Sequence, residues 1–223
     1  ILFDLDPESY DYEISGWVRD ALGHQVGGMV RLFNAAGGPM QDMWTYWEEG
    51  EDGLFRSQPL AAGTYYAVTV HTNGMLDEAW NDVPCVNQVC YPVEDGTPIT
   101  VPSAGNDALH FVLDPITAGG HIGGRLLGPD GPVGDSWVEI RNANGEHVTG
   151  VVTSPDGYYN TERLAADRYY VVAQNERLGL GREIWDDVAC SEDWQCWESW
   201  YIREHGTPVD LAGGDRPDLD ALR

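Results

Sequence analysis

Short stretches of alternating apolar and polar residues recur along the chain, and glycine-rich or proline-rich turns separate them. The alternation runs through Trp17, along residues 30–33 and along residues 65–70. An Asp-Gly pair, which favours a tight turn, precedes Leu54 and Phe55. Because successive side chains of a strand point to opposite faces, this pattern predicts half-buried β-strands. No stretch shows the period of a helix, and we predict an all-β protein.

The same pattern occurs twice in the sequence. Residues 1–7 (ILFDLDP) match residues 109–115 (LHFVLDP) at an offset of 108, and residues 60–66 (LAAGTYY) match residues 164–170 (LAADRYY) at an offset of 104. Matches of this length, all in one order, indicate an internal repeat. Each copy has about a hundred residues, a size that can bury a single sandwich core.

The repeat predicts how the chain is divided. We expect an orphan N-terminal strand over residues 1–10, a first domain over residues 11–117 and a second domain over residues 118–223. The orphan strand is a candidate for donation to a neighbouring subunit.

The ordered motifs of each copy resemble one known domain family. Each copy has Ile-x-Gly, then Asp-Gly-x-Phe or Asp-Gly-x-Tyr, and then Leu-Ala-Ala followed by Tyr-Tyr. This order resembles the carboxypeptidase regulatory-like domain, a seven-stranded transthyretin-like (prealbumin-like) β-sandwich. The resemblance covers nearly the whole chain twice, although Asp167 and Arg168 replace Gly63 and Thr64 in the second copy. It implies a bacterial secreted or surface protein whose domains act as spacers, adhesive modules or fibre subunits.

The charge of the chain excludes some partners. The formal net charge is -25 at pH 7, and all twelve basic residues are arginines. Nucleic-acid binding depends on neutralising phosphates with basic side chains, so we expect no nucleic-acid partner. The absence of lysine also excludes Lys-Asn isopeptide crosslinks and Schiff-base chemistry.

The four cysteines form two close pairs, Cys85 with Cys90 and Cys190 with Cys196, one pair in each copy. This spacing indicates two local disulfides and an oxidising compartment. A zinc site made by all four thiolates is the alternative. The chain begins at Ile1 and has no apolar run long enough to span a membrane, so we expect no membrane insertion, and either a removed export signal or a longer precursor. The predicted location is secreted, extracellular or at the cell surface.

Motifs of catalysis are not found in the sequence. None of the six histidines pairs with another at a metal-binding spacing, and there is no nucleophile elbow or phosphate loop. We therefore predict no enzymatic activity, no catalytic residue and no cofactor. Acidic pairs such as Asp77-Glu78 are interpreted as solvated loops, and a calcium site assembled from separate loops is the alternative.

Nine tryptophans are many for an inert spacer. Several lie where the copies differ: an extra segment over residues 40–51 of the first copy and an enlarged cysteine loop in the second. Tryptophan is enriched at binding hot spots, so we predict a subunit interface. A glycan-stacking platform and packing onto the domain's own core are the alternatives. The candidate residues are Trp44, Trp47, Trp194, Trp197 and Trp200.

The two ends of the chain leave a mismatch in the repeat. Residues 1–7 match the closing strand of the first copy, yet they precede that copy. At the other end, residues 218–223 (DLDALR) align with residues 108–113 (ALHFVL), so that Ala221 takes the place of Phe111. The second domain therefore lacks an apolar closing strand of its own. The interface positions predicted from this mismatch are Ile1, Phe3, Leu5, Leu219 and Ala221.

These observations predict a structural subunit of an extracellular filament or pilus-like polymer. Subunits would assemble head to tail, each donating its N-terminal strand to the next, so the expected partners are copies of the same chain. The first alternative is a surface adhesin or carbohydrate-binding module whose partner is a glycan or cell-surface ligand. The second is a pair of non-catalytic spacer domains of a larger secreted protein.

Overall fold

The structure is a computed structural model, and it describes residues 12–45, 53–70, 74–85, 89–102, 108–175, 178–190, 192 and 194–217. These residues form two compact units. The first unit comprises the described residues up to Pro115 except Val89. The second unit comprises Val89 and the described residues from Ile116 onward. Both units are built mainly from β-strands, which confirms the predicted all-β, two-domain fold.

The first unit is a sandwich of two sheets. Its elements are β1 Ser15–Asp20, β2 Met29–Asn34, β3 Pro39–Trp44, β4 Leu54–Arg56, β5 Gly63–Val70, β6 Glu78–Ala79, β7 Val83–Pro84, α1 Pro92–Asp95, β8 Ile99–Val101 and β9 Leu109–Leu113. One sheet has the order β4-β1-β9, and the other has the order β3-β2-β5-β6-β7 with β8 paired to β5.

Apolar side chains from both sheets of the first unit fill the space between them. Each strand turns alternate residues inward, and these inward residues are almost completely buried. They include Val18, Val30, Leu32, Phe55, Ala67, Leu109, Phe111 and Leu113.

The second unit repeats this plan. Its elements are β10 Gly119–Gly120, β11 Gly123–Arg125, β12 Leu127–Gly128, β13 Gly131–Pro132, β14 Trp137–Arg141, β15 His147–Val152, β16 Tyr158–Asn160, β17 Leu164–Ala165, β18 Arg168–Asn175, β19 Leu180–Ile184, β20 Val188–Ala189, α2 Ser199–His205 and β21 Val209–Asp210. The larger sheet has the order β15-β14-β18-β19-β20, with β21 paired to β18. This is the order of the larger sheet of the first unit, and β11 pairs with β16 as β1 pairs with β4.

Helix α2 lies in a stretch whose sequence shows no helical period. Its seven residues make only two turns, too few for a helical period to appear in the sequence. Ile202 is its one buried side chain, and the helix ends where the Gly206 N–H donates to the Ile202 carbonyl. Helix α1 ends at Gly96, the counterpart of Gly206 in the repeat.

Strand β3 corrects the prediction of an extra segment over residues 40–51. It pairs with β2 as β15 pairs with β14, so both copies contain this strand. The extra residues of the first copy therefore fall between β3 and β4. Only Met43 is buried in β3, an edge strand, and one buried residue is too weak an alternation to reveal a strand.

Candidate subunit interface

The closing strand β9 completes the core of the first unit. It runs parallel to β1, with Gly16 opposite Leu109 and Val18 opposite Phe111. A Cβ atom on Gly16 would overlap the Leu109 carbonyl, so glycine is what lets β9 approach β1 closely. Its residues alternate between buried and exposed along the whole strand.

Phe111 is the centre of this closure. It is fully buried, and its ring centroid lies 6.0 Å from that of Phe55 and 5.7 Å from that of Trp80. Leu109 and Leu113 are buried on the same face. Burying three such side chains contributes roughly 5–8 kcal/mol to folding, so the first unit depends on its closing strand.

The chain just after β9 is held against β6 and the residues before it. The Leu76 N–H donates to the Asp114 carbonyl at 2.9 Å, and Met75 forms an antiparallel bridge with Pro115. The Val112 N–H donates to the carboxylate of Glu78. These contacts fix the backbone at the end of the closing strand.

The pKa of Glu78, beside the end of the closing strand, is strongly raised. Its side chain is buried, and only 7% of the residue is exposed. Burial, followed by the charges of Asp82, Asp114 and Asp77, raises its pKa to about 7, and the hydrogen bond from Val112 opposes the shift. The acidic pair Asp77-Glu78 predicts a solvated loop, and this prediction is wrong for Glu78 because the residue is buried.

The matching strand of the second unit is β11. β11 pairs with β16 on one side. On the other side, the Gly123 N–H donates to the Arg216 carbonyl at 2.9 Å, and Ile122 and Arg216 form a parallel bridge. Among the residues that the structure describes, no strand continues from there along β11. The predicted interface residues Ile1, Phe3, Leu5, Leu219 and Ala221 all lie outside the described residues.

A cluster of exposed aromatic rings lies around α2. The ring centroids of Trp194 and Trp200 are 6.2 Å apart, and Tyr201 lies 6.5 Å and 5.7 Å from them. Trp194 is 49% exposed and Trp200 is 47% exposed, so packing onto the domain's own core does not account for them. His205 stacks on Tyr201 with a centroid distance of 4.0 Å.

Trp197 lies against arginines. The guanidinium of Arg182 lies 4.2 Å from its ring centroid and that of Arg141 lies 5.9 Å away. Arg141 forms a buried ion pair with Glu139 at 3.1 Å, and the His147 ring lies 2.7 Å from the same carboxylate. Burial raises the pKa of Glu139, but the hydrogen bond with His147 and the charge of Arg141 outweigh it, so the pKa is lowered.

Disulfides hold the loops beside both larger sheets. Cys85 is bonded to Cys90 with a Cα–Cα distance of 4.5 Å, and Cys190 is bonded to Cys196 with a Cα–Cα distance of 5.9 Å. These are the pairs expected from the sequence. Cys196 packs in a small buried cluster with Ile202 of α2, so the second disulfide anchors the segment that carries the exposed aromatic rings.

The first unit presents one of the predicted tryptophans. Trp44 lies at the end of the edge strand β3 and is 61% exposed. Trp47 lies outside the described residues. Trp44 is opposite Met29 in the ladder and lies in a different unit from the aromatic cluster around α2.

Within the described residues, no group of three histidine, cysteine, aspartate or glutamate side chains is placed to hold a metal ion. None of the helices in the described part of the chain has the length and apolar character needed to cross a membrane.

Comparison with known proteins identifies no family. No family model matches the chain, so the resemblance to the carboxypeptidase regulatory-like domain stays a prediction. No curated protein matches it either.

Solved structures give low-identity similarities. The chain is similar to the Bacillus anthracis TIE protein at 11% identity and a TM-score of 0.31, covering 95% of this chain and 33% of that one. It is similar to a streptococcal ancillary pilin at 12% identity and a TM-score of 0.35, covering 95% and 64%. It is similar to GBS52, the minor pilin of Streptococcus agalactiae, at 11% identity and a TM-score of 0.30, covering 95% of each chain. The chain thus spans less than two thirds of the first two of these proteins.

Proposed function

We propose that this protein is a non-catalytic subunit of an extracellular filament. In the proposed assembly, residues 1–5 of one subunit lie along β11 of the next subunit, as β9 lies along β1 in the first unit. The joint is head to tail and does not close on itself, so it propagates into an open polymer.

The contrast between the closing segments of the two sequence copies carries the proposal. The first unit buries Leu109, Phe111 and Leu113 along β1. The corresponding residues of the second unit, 219–223, lie outside the described residues, and their sequence has Ala221 and Arg223 where the first unit has Phe111 and Leu113. A sequence copy of the strand, ILFDLDP, is present at residues 1–7.

The sequence of the second unit keeps the feature that a closing strand needs. Gly124 is the counterpart of Gly16, the glycine at which β9 approaches β1 most closely. The residues that follow Pro217 read DLDALR, and neither alternate set of them offers three apolar side chains. The N-terminal segment offers Ile1, Phe3 and Leu5 in alternation, as a strand with one buried face requires.

Burial of these three side chains would contribute roughly 5–8 kcal/mol per joint before the cost of ordering the segment. Strand hydrogen bonds would fix the register. The two disulfides agree with an extracellular location, because such bonds persist in oxidising compartments.

Electron microscopy of the purified full chain tests this proposal. We expect filaments from the unchanged chain and none from Phe3→Asp, because Phe3 corresponds to the fully buried Phe111. Leu2→Asp is the matched control, since Leu2 corresponds to the exposed His110, and it should still form filaments. Filaments from all three proteins would overturn strand donation. Monomers from all three would contradict filament assembly.

The exposed rings around α2 favour a second candidate, a glycan-binding adhesin. Trp194 and Trp200 are half exposed on a segment anchored by the second disulfide, and sugars stack on such rings. Binding to an oligosaccharide array that is lost in Trp200→Ala but kept in Trp44→Ala would support this candidate. Absence of binding by the unchanged chain would exclude it for the sugars tested.

A further inference from the structure

The second unit contains a cavity of about 200 Å³ beside β19. This volume is below the roughly 300–1,000 Å³ of sites for drug-sized ligands. Apolar side chains and two charged ones form its walls together with backbone. The residues that line it are Leu127, Gly128, Pro129, Leu180, Gly181, Arg182, Glu183 and Ala189. A cavity of this size and mixed lining suits one or two side chains of a peptide.

Because the sequence is repeated, the residues that form these walls have counterparts in the first unit. Glu183 pairs with Ala189 as Glu78 pairs with Pro84. The Cys190 N–H donates to the Arg182 carbonyl as the Cys85 N–H donates to the Asp77 carbonyl. Residues 180–183 therefore correspond to residues 75–78.

In the first unit, that place is filled by the end of the closing strand. Leu76 binds the Asp114 carbonyl, Met75 bridges to Pro115, and Glu78 accepts the Val112 N–H. The corresponding wall of the second unit, residues 180–183, borders the cavity instead.

The opposite wall corresponds in the same way. Leu113 lies opposite Asp20 in the ladder between β9 and β1. Gly128 is the counterpart of Asp20 and lines the cavity. At the repeat offset of 108, residues 4–7 of the N-terminal segment correspond to residues 112–115. Leu5 therefore corresponds to the fully buried Leu113.

We infer that this cavity is the binding site for residues 4–7 of a second copy of the chain, with Leu5 as the side chain that enters it. This inference rests on the proposed strand donation and adds where the donated strand ends. The Gly181 N–H takes the role of the Leu76 N–H and binds the Asp6 carbonyl. Glu183 takes the role of Glu78 and accepts the Asp4 N–H.

Charge distinguishes this site from its counterpart. In the first unit, Asp77 adds to the negative charge around the strand end. The second unit has Arg182 at that position, on the wall of the cavity. The segment that enters carries Asp4 and Asp6, and the positive charge of Arg182 offsets the repulsion between these residues and Glu183.

Peptide binding to the full chain tests the inference. The receiver is the Phe3→Asp protein, whose own segment is disabled for donation, and the probe is a fluorescently labelled ILFDLDP peptide measured by anisotropy. Replacing Leu5 by alanine in the peptide should weaken binding roughly tenfold to a hundredfold. Replacing Leu2 by alanine is the control and should change affinity less than threefold, because the corresponding His110 is exposed.

A receiver variant tests the cavity directly. A Cβ on Gly181 meets no atom within 4 Å, so Gly181→Phe places a ring in open space at the cavity wall. In this receiver, the peptide with Leu5 should bind no better than the peptide with alanine. If the Leu5 substitution has no effect on the unchanged cavity, this inference is wrong while strand donation stands. If ILFDLDP does not bind at all, strand donation itself is wrong.

Discussion

Replacing the buried acid of the first unit should stabilise that unit in a pH-dependent way. Glu78 has a pKa raised to about 7 in the folded protein, against an ordinary value of 4.5. The folded unit therefore holds a proton on Glu78 through a pH range in which the unfolded chain has lost it. Stability from this group is fully present below about pH 4.5, falls as the pH rises through about 7, and is level above that.

The size of the effect follows from the shift. Each pKa unit corresponds to 1.36 kcal/mol, so ionised Glu78 costs the folded unit about 3 kcal/mol at pH 8. Glutamine keeps an oxygen that accepts the Val112 N–H and carries no charge. Glu78→Gln should thus raise the free energy of unfolding by about 2–3 kcal/mol at pH 8 and by less than about 0.5 kcal/mol at pH 4.5.

Guanidinium unfolding followed by tryptophan fluorescence at several pH values measures this difference. Trp80 packs against Phe111 in the core of the same unit and serves as a native reporter. Glu94→Gln, at an exposed position on α1, is the matched control and should show no gain at any pH. A Glu78→Gln effect that is equal at pH 4.5 and pH 8, or a loss of stability at pH 8, would refute the reasoning.

Three further outcomes are expected from unfolding measurements. Phe111→Ala should cost the first unit about 3–5 kcal/mol, because it opens a cavity in a closed core, and a loss below about 1 kcal/mol would contradict the closing role of β9. Glu139→Gln should cost the second unit about 3–5 kcal/mol by leaving buried Arg141 without its charged partner, and a neutral result would show that the ion pair is dispensable. Replacing Cys85 and Cys90 by serine should cost about 2 kcal/mol, as expected for a short disulfide loop, and unchanged stability would contradict that estimate.

The sequence predicts the strands whose inward faces are strongly apolar. Residues 30–33 lie within β2, and residues 65–70 lie within β5. The segment LHFVL alternates in the sequence and alternates between buried and exposed in β9. These elements are predictable because burial of one face leaves a period of two in the chain.

Edge strands and short helices bury too few side chains to produce a period in the sequence. β3 buries one side chain, and its remaining residues are exposed or half-buried. α2 buries Ile202 alone, and its tryptophan is exposed. In both cases the backbone is placed by hydrogen bonds and by neighbouring strands, which sequence periodicity does not report.

The sequence predicts the segment that is donated, but it does not predict the surface that receives it. The match between residues 1–7 and residues 109–115 is visible in the sequence. The buried state of Glu78 and the cavity wall at Arg182 depend on which loops meet in space, and an acidic pair in an acidic chain gives no sign of this. Glutamates at the repeated positions 78 and 183 were the one available signal.

Disulfide trapping between subunits tests the central claim most directly. In the first unit Trp17 and His110 are direct neighbours in the ladder, and their counterparts are Arg125 and Leu2. The chain carrying both Arg125→Cys and Leu2→Cys should give a ladder of crosslinked multimers under oxidation, because neighbouring strands bring Cα atoms within disulfide range. Val152→Cys with Leu2→Cys, which uses an exposed edge position of β15, is the control and should give no crosslinked multimers. No ladder from the first pair, or an equal ladder from the control, would contradict strand donation.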